Sequence, residues 1–268
     1  MCRLLAARFM ERGTLRPEIR AFGKLSDVHK DGWGAALYPR ARHLDSPVME
    51  HGTAPAKLDP EFGHLANVVR GGMALLHLRQ ASEGPVTLEN AHPFTLGRWS
   101  FAHNGSLVNF GERRERLESI ISPELRPLLA GQTDSERCFL LFMTKLREGM
   151  AGGAERPREV AVALARTMRS VSQLTDEPKA RSAMNFIATD GKMVVATRRD
   201  RPLYVSAEDA AGPLGRLPRR GERLKSFKIA SQPLSSGGTW HRVPNDSVIA
   251  VDRNLIAHSW RLSELTGS

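Results

Sequence analysis

The sequence predicts an α+β protein in which two sheets are covered by helices. Three observations carry that reading. Short apolar runs of strand character fill the first hundred residues, segments of helical spacing fill the middle, and short strand-like runs return from residue 185. Blocks ordered strands, helices, strands suit layered sheets rather than the regular β-α alternation of a parallel sheet. At 268 residues and 41% hydrophobic content, the chain has enough apolar material for a substantial core.

The elements follow in order. Residues 2–9 form an apolar strand, 17–25 a short helix, and 32–38 (GWGAALY) a strand entered through glycines. Residues 48–51 form a short strand, and 61–69 have helical spacing. The continuous apolar run 72–78 fits a strand buried on both faces. Residues 98–102 form another strand, expected to end at His103-Asn104-Gly105. Helices then take over. Segment 111–121 is charged on one face, and Thr133-Asp134-Ser135-Glu136 precedes the apolar run 138–146, with Thr133 or Asp134 as its cap. Segment 157–174 places Val160, Leu164, Met168 and Val171 on one stripe. Strand signals return at 185–189 and 192–197, split by Asp190-Gly191, a hairpin dipeptide. Segments 203–206, 227–231, 247–251 and 255–259 complete the set, and the Gly-, Pro- and Arg-rich stretch 207–221 reads as a mobile loop. With no internal repeat or linker, a single domain over 1–268 is expected.

Composition excludes several classes. No stretch approaches the roughly 18 apolar residues of a membrane helix. The apolar stretch after Met1 is too short for a secretory signal and is interrupted by Arg8. Two cysteines without such a signal argue for a reducing compartment and against a disulfide framework. The expectation is a soluble, cytoplasmic protein. The net charge is +10, but the basic residues are spread, with the densest stretches at 198–201 and 216–228. No zinc-finger, RNP or helix-turn-helix pattern accompanies them, so they read as solvated faces and not as a nucleic-acid groove.

Cys2 follows Met1 directly, and Cys138 is the other cysteine. A small residue after Met1 suits a methionine aminopeptidase. Removing Met1 would leave a thiol and a free α-amine on one residue. With reference pKa values of about 8.5 and about 7.7–8.0, the amine can accept the thiol proton near neutrality. Alone, Cys2 also reads as a small apolar residue opening a buried strand. Cys138, within an apolar helical run, reads as an inert buried thiol. Four polar clusters stand at strand ends or at a helix start: 29–34 (HKDGWG), 77–82 (HLRQAS), 102–105 (AHNG) and 133–136 (TDSE). His29, His77, His92 and His103 match neither a HExxH helix nor a Cys/His zinc pattern, so they read as structural groups and no metal is expected.

Together with Cys2, these clusters resemble the class II glutamine amidotransferases, the N-terminal-nucleophile hydrolases whose glutaminase domain begins with cysteine. Ser231-Gln232-Pro233-Leu234, followed by Trp240 and Val243-Pro244, is similar to the stand-alone branch of that family. That branch includes the γ-glutamyl hydrolase of ergothioneine biosynthesis. Gln80 and Glu83 stand where the sugar-phosphate branch carries Trp and His.

The resemblance implies a four-layer αββα sandwich of two mainly antiparallel sheets. It also implies roles. Cys2 would attack the γ-amide carbonyl, and its amine would carry the proton to the leaving nitrogen. Asn104 and Gly105 would hold the oxyanion, although Asn-Gly by itself also reads as a plain turn. Arg79 would take the substrate carboxylate with its planar fork and Asp134 the ammonium, while Ser82 falls where the family often carries a Thr touching the carboxylate. No cofactor is implied. Three readings compete: a glutamine amidotransferase releasing ammonia, alone or to a synthase partner; a hydrolase of a larger γ-glutamyl conjugate; and a non-catalytic basic binding protein on the same fold.

Overall fold

Leu4 and Ala6 enter one apolar core while Leu5 and Ala7 enter another, so the first strand is covered on both faces. The computed structural model describes residues 2–10, 14–39, 46–69, 72–149, 156–235 and 238–266. In chain order the first half comprises β1 (Arg3–Phe9), α1 (Arg16–Gly23), β2 (Trp33–Tyr38), β3 (Val48–Gly52), α2 (Pro60–Val68), β4 (Met73–Leu78), β5 (Phe94–Leu96) and β6 (Trp99–Ser106). Then come α3 (Phe110–Ser119), α4 (Asp134–Gly149) and α5 (Pro157–Thr175). The remainder is β7 (Ala183–Thr189), β8 (Val194–Arg198), β9 (Tyr204–Asp209), β10 (Gly212–Pro213), β11 (Ser226–Ala230), β12 (His241–Arg242), β13 (Ser247–Val251), β14 (Ala257–Arg261) and α6 (Leu262–Thr266).

One sheet runs β10-β9-β11-β1-β4-β2-β3, with β12 also on β9; the other runs β14-β13-β8-β7-β6-β5. All of these pairings are antiparallel. Three apolar cores define four layers. Ile19, Phe22, Phe62 and Leu65 of α1 and α2 pack on one face of the first sheet. Leu4, Leu75, Ala102, Ile187 and Ile249 fill the space between the sheets. Phe101, Leu141, Leu164 and Val195 join the second sheet to α3–α6. The order is therefore αββα.

Local chemistry explains the boundaries. The helix α4 starts where Thr133 accepts from the Glu136 N–H through Oγ1 at 3.3 Å. The stripe Val160, Leu164, Met168 and Val171 of α5 is fully buried. Run 72–78 matches β4, buried at every position.

Three expectations are corrected. His103-Asn104-Gly105 lie inside β6, which pairs with β7 as far as Ser106 opposite Ala183. A Cβ on Gly105 would overlap the Ala183 carbonyl oxygen, so this glycine permits a close strand approach and makes no turn. The Asp190-Gly191 hairpin has a four-residue loop, because β7 and β8 pair only from Thr189 and Val194. Asp190 Oδ1 accepts from the N–H groups of Lys192 and Met193, both at 2.9 Å. Stretch 207–221 is partly ordered: β9 runs to Asp209, β10 folds back on it, and Arg216 pairs with Glu222 at 2.8 Å. Strands β5, β10, β12 and helix α6 are too short to leave a periodic signal.

Candidate active site

Period-two alternation brings the predicted residues to one place. Leu4 of β1 pairs with His77 of β4, and Arg3 with Leu78. Extending that register by one residue sets Cys2 opposite Arg79, on the face that carries Leu4 and Leu75 into the space between the sheets. On the second sheet Ala102 faces the same space, and so does Asn104, two residues on. The intervening Phe101 and His103 turn toward the helices.

Cys2 is half-buried, and its Sγ lies 3.4 Å from the donating Gln80 N–H and 3.5 Å from the Gln80 carbonyl oxygen. Burial raises the thiol pKa, against the Gln80 N–H, which lowers it. A thiol with a raised pKa stays protonated at neutral pH, so attack from this position requires a base. Met1 lies outside the described residues.

Arg79 is buried, and its guanidinium is already engaged. Nη1 donates to the Pro85 carbonyl at 2.8 Å, and Nη2 to those of Glu83 and Gly84 at 3.1 and 3.2 Å. Three neutral acceptors thus fold the 83–85 loop around this side chain. The segment before the loop is pinned by Asp31, whose Oδ2 accepts from the Ala81 N–H at 2.8 Å. Ser82 is exposed on the same segment.

Asp134 opens α4 and is buried. Its Oδ2 accepts from the Leu107 N–H at 3.0 Å and its Oδ1 from the Ser135 hydroxyl at 3.0 Å. The first bond ties the helix start to the chain three residues beyond Asn104. Burial and the Asp134 charge both raise the Glu83 carboxyl pKa, so two carboxylates share this end of the molecule.

Asn104 is the link between the sheets. Its Nδ2 donates to Ser231 Oγ at 3.0 Å, and the same Oγ accepts from the Leu4 N–H at 2.9 Å. The Asn104 amide is therefore one hydrogen-bonded atom from the backbone of the strand that Cys2 precedes. Asn104 Oδ1 is buried without a partner. Ser231 itself carried no assigned role at the level of sequence; its Ser-x-Pro-Leu context was its one signal.

Behind this face sits a group of histidines. The rings of His77 and His92 are tilted by 35° with centroids 4.1 Å apart, and neither nitrogen of the His92 ring has a hydrogen-bond partner. His103 lies between the Ser135 hydroxyl and the Ala183 carbonyl, at 2.9 Å from each. Burial lowers the pKa of all three, to about 3 for His77, so they are neutral at pH 7. Among the described residues, no three His, Cys, Asp or Glu side chains gather as a metal-ligand set.

The family model for class-II glutamine amidotransferases matches residues 1–261. The chain belongs to that family. It is 28% identical to a probable glutamine amidotransferase of Saccharomyces cerevisiae, over 85% of this chain and 71% of the relative. It is also 28% identical to a putative glutamine amidotransferase of Escherichia coli, over 80% and 82% respectively. A γ-glutamyl-hercynylcysteine sulfoxide hydrolase of Mycobacterium tuberculosis is 23% identical over 84% of this chain and 76% of its own. Among solved structures, a glutamine aminotransferase class-II domain protein of Silicibacter pomeroyi superposes with a TM-score of 0.66 at 21% identity, covering 97% of this chain and 99% of that one. The chain's four layers are those of the N-terminal-nucleophile hydrolase fold. No helix among the described residues is long and apolar enough to cross a membrane.

Proposed function

We propose that this amidotransferase, a single domain over 1–268, hydrolyses the γ-amide of glutamine through a thioester on Cys2. The observation that carries the reading is the convergence of Cys2 and Arg79, from the ends of two paired strands, and Asn104, from within β6, on the space between the sheets. Once Met1 is removed, the free amine of Cys2 accepts the thiol proton and the sulfur attacks the amide carbon. The oxyanion falls to the Asn104 side-chain amide and the Gly105 N–H. The amine returns the proton to the departing nitrogen, and water then hydrolyses the thioester by the same route reversed.

Arg79 takes the substrate carboxylate. A charged oxygen is a stronger acceptor than the neutral carbonyls that Arg79 holds in the 83–85 loop, so the carboxylate displaces them. Asp134 faces the substrate ammonium, and the Glu83 carboxyl lies near enough for the Asp134 charge to act on it. Ser82 sits on the segment that leads into the 83–85 loop.

A second reading, hydrolysis of a larger γ-glutamyl conjugate, is supported by the relative from Mycobacterium tuberculosis that bears such a name. Gln80 and Glu83 differ from the sugar-phosphate branch and favour the stand-alone branch, which includes such a hydrolase. Either chemistry leaves ammonia or the amine fragment as the released product, and delivery of ammonia to a synthase partner belongs to the first reading. The test is intact mass together with turnover. The purified protein should lack Met1, release ammonia from glutamine, and lose at least about 10³-fold of its rate as Cys2→Ala. Faster cleavage of γ-glutamyl conjugates than of glutamine would select the second reading. Retained Met1 with no turnover of either substrate would leave a binding role.

A further inference from the structure

The Ser231 hydroxyl sits between the strand that bears the nucleophile and the residue assigned to the oxyanion. It accepts two hydrogen bonds, from Leu4 N–H at 2.9 Å and from Asn104 Nδ2 at 3.0 Å. The Ser231 N–H donates back to the Leu4 carbonyl at 3.0 Å. The next residue continues the grip: Gln232 Oε1 accepts from Arg3 Nε at 2.8 Å, and Arg3 Nη1 donates to the Cys2 carbonyl at 3.1 Å. Residues 2–4 are thus held by two consecutive residues that lie just past the end of β11.

A serine hydroxyl also has one hydrogen to donate. With both bonds accepted, that hydrogen has no described acceptor, while Asn104 Oδ1 is buried and unpartnered. Turning the Asn104 amide by 180° resolves both at once. Ser231 O–H then donates to Oδ1, Leu4 N–H still donates to Ser231 Oγ, and Nδ2 takes the place from which Oδ1 has moved. This orientation pairs both the Ser231 hydrogen and Oδ1, and it leaves Nδ2 as the group without a protein partner, open to a substrate oxygen. It also has the polarity an oxyanion requires, since an acceptor aimed at a negative oxygen would repel it.

We propose that Ser231 is a positioning residue that fixes the Asn104 amide with its N–H₂ toward the reacting carbonyl. Ser231 touches no substrate in this scheme and acts through Asn104. The inference rests on the oxyanion role assigned to Asn104, and the experiment separates the two.

The experiment measures kcat and KM for Ser231→Ala, Ser231→Thr, Asn104→Ala and the Asn104→Ala/Ser231→Ala pair. The substrate is whichever of glutamine and γ-glutamyl p-nitroanilide the wild type cleaves faster. The rate of Cys2 alkylation by iodoacetamide is followed in parallel. Ser231→Ala should lower kcat by about 10–100-fold, less than the ~10²–10³-fold cost of removing an oxyanion donor outright, with KM nearly unchanged. Cys2 alkylation should stay within about twofold of wild type, Ser231→Thr should keep most of the activity, and adding Ser231→Ala to Asn104→Ala should change nothing further. A full additional loss in the Asn104→Ala background would overturn the proposal, as would an equal loss in the threonine variant. Full activity of Asn104→Ala would instead overturn the oxyanion assignment. If Ser231→Ala does not fold, Ser231→Cys, of similar size and a poor donor, should show the same fall in kcat, and wild-type kcat there would refute the inference.

Discussion

At the scale of single residues, the site combines groups that each have a competing structural use. Arg79 holds a loop through three carbonyls, and a lysine offers neither the fork nor the reach to replace it. Arg79→Lys should raise KM by roughly 10–100-fold, the worth of a charge-assisted hydrogen bond, with a smaller change in kcat. Unchanged saturation kinetics would contradict the carboxylate role. Gly105 has no room for a side chain against the Ala183 carbonyl. Gly105→Ala should therefore push β6 from β7 and depress both stability and turnover, visible as a lower melting temperature alongside a lost rate. The pH profile follows from Cys2. Its thiol pKa is raised by burial, so the base must be unprotonated before attack. The ascending limb of kcat/KM should accordingly track the α-amine, near pH 7–8, and a profile flat from pH 6 to 9 would argue against that base.

At the scale of elements, α1 is fastened to the first sheet by a buried ion pair, Lys228 Nζ to Glu18 Oε1 at 2.6 Å. Glu18 Oε2 has no partner, so the carboxylate depends on Lys228. Lys228→Met should cost about 3–5 kcal/mol in urea unfolding, because it leaves a charge buried alone. Adding Glu18→Leu should recover most of that loss. The outer helical layer depends on simple packing. Leu164 of α5 is fully buried, and Leu164→Ala should cost about 2–5 kcal/mol. A loss below 1 kcal/mol would mean that the layer contributes little to the fold.

At the scale of the whole molecule, the buried histidines link folding to pH. His77, His92 and His103 have folded pKa values below the usual 6.5, with burial as the first cause. The unfolded chain therefore binds more protons than the folded one below about pH 6.5. Stability is fully present above that value and is lost as pH falls toward the folded pKa, about 3 for His77. The melting temperature should fall between pH 7.5 and pH 5, and His77→Gln should flatten that slope by up to about 1.4 kcal/mol per pH unit. A melting temperature constant across this range would contradict the burial of neutral imidazoles.

Much of this was legible from the chain alone, for physical reasons. Period-two and 3.6-residue patterns report which faces are buried, so the long elements and the strand–helix–strand order could be read directly. Cys2, Arg79, Asn104-Gly105 and Asp134 could be nominated because their ordered motifs resemble those of class II glutamine amidotransferases, while each alone also has a plain structural reading. Tertiary structure decided the rest. Asn-Gly has the same local signal in a turn and in a strand, and only the pairing of β6 with β7 selects the strand. The hold of Arg79 on the 83–85 loop depends on how that loop folds back, which no spacing encodes. Ser231 reaches Leu4 and Asn104 across 227 and 127 residues of sequence. Contacts of such separation arise from the stacking of two sheets, and a one-dimensional pattern carries no record of which sheet faces which.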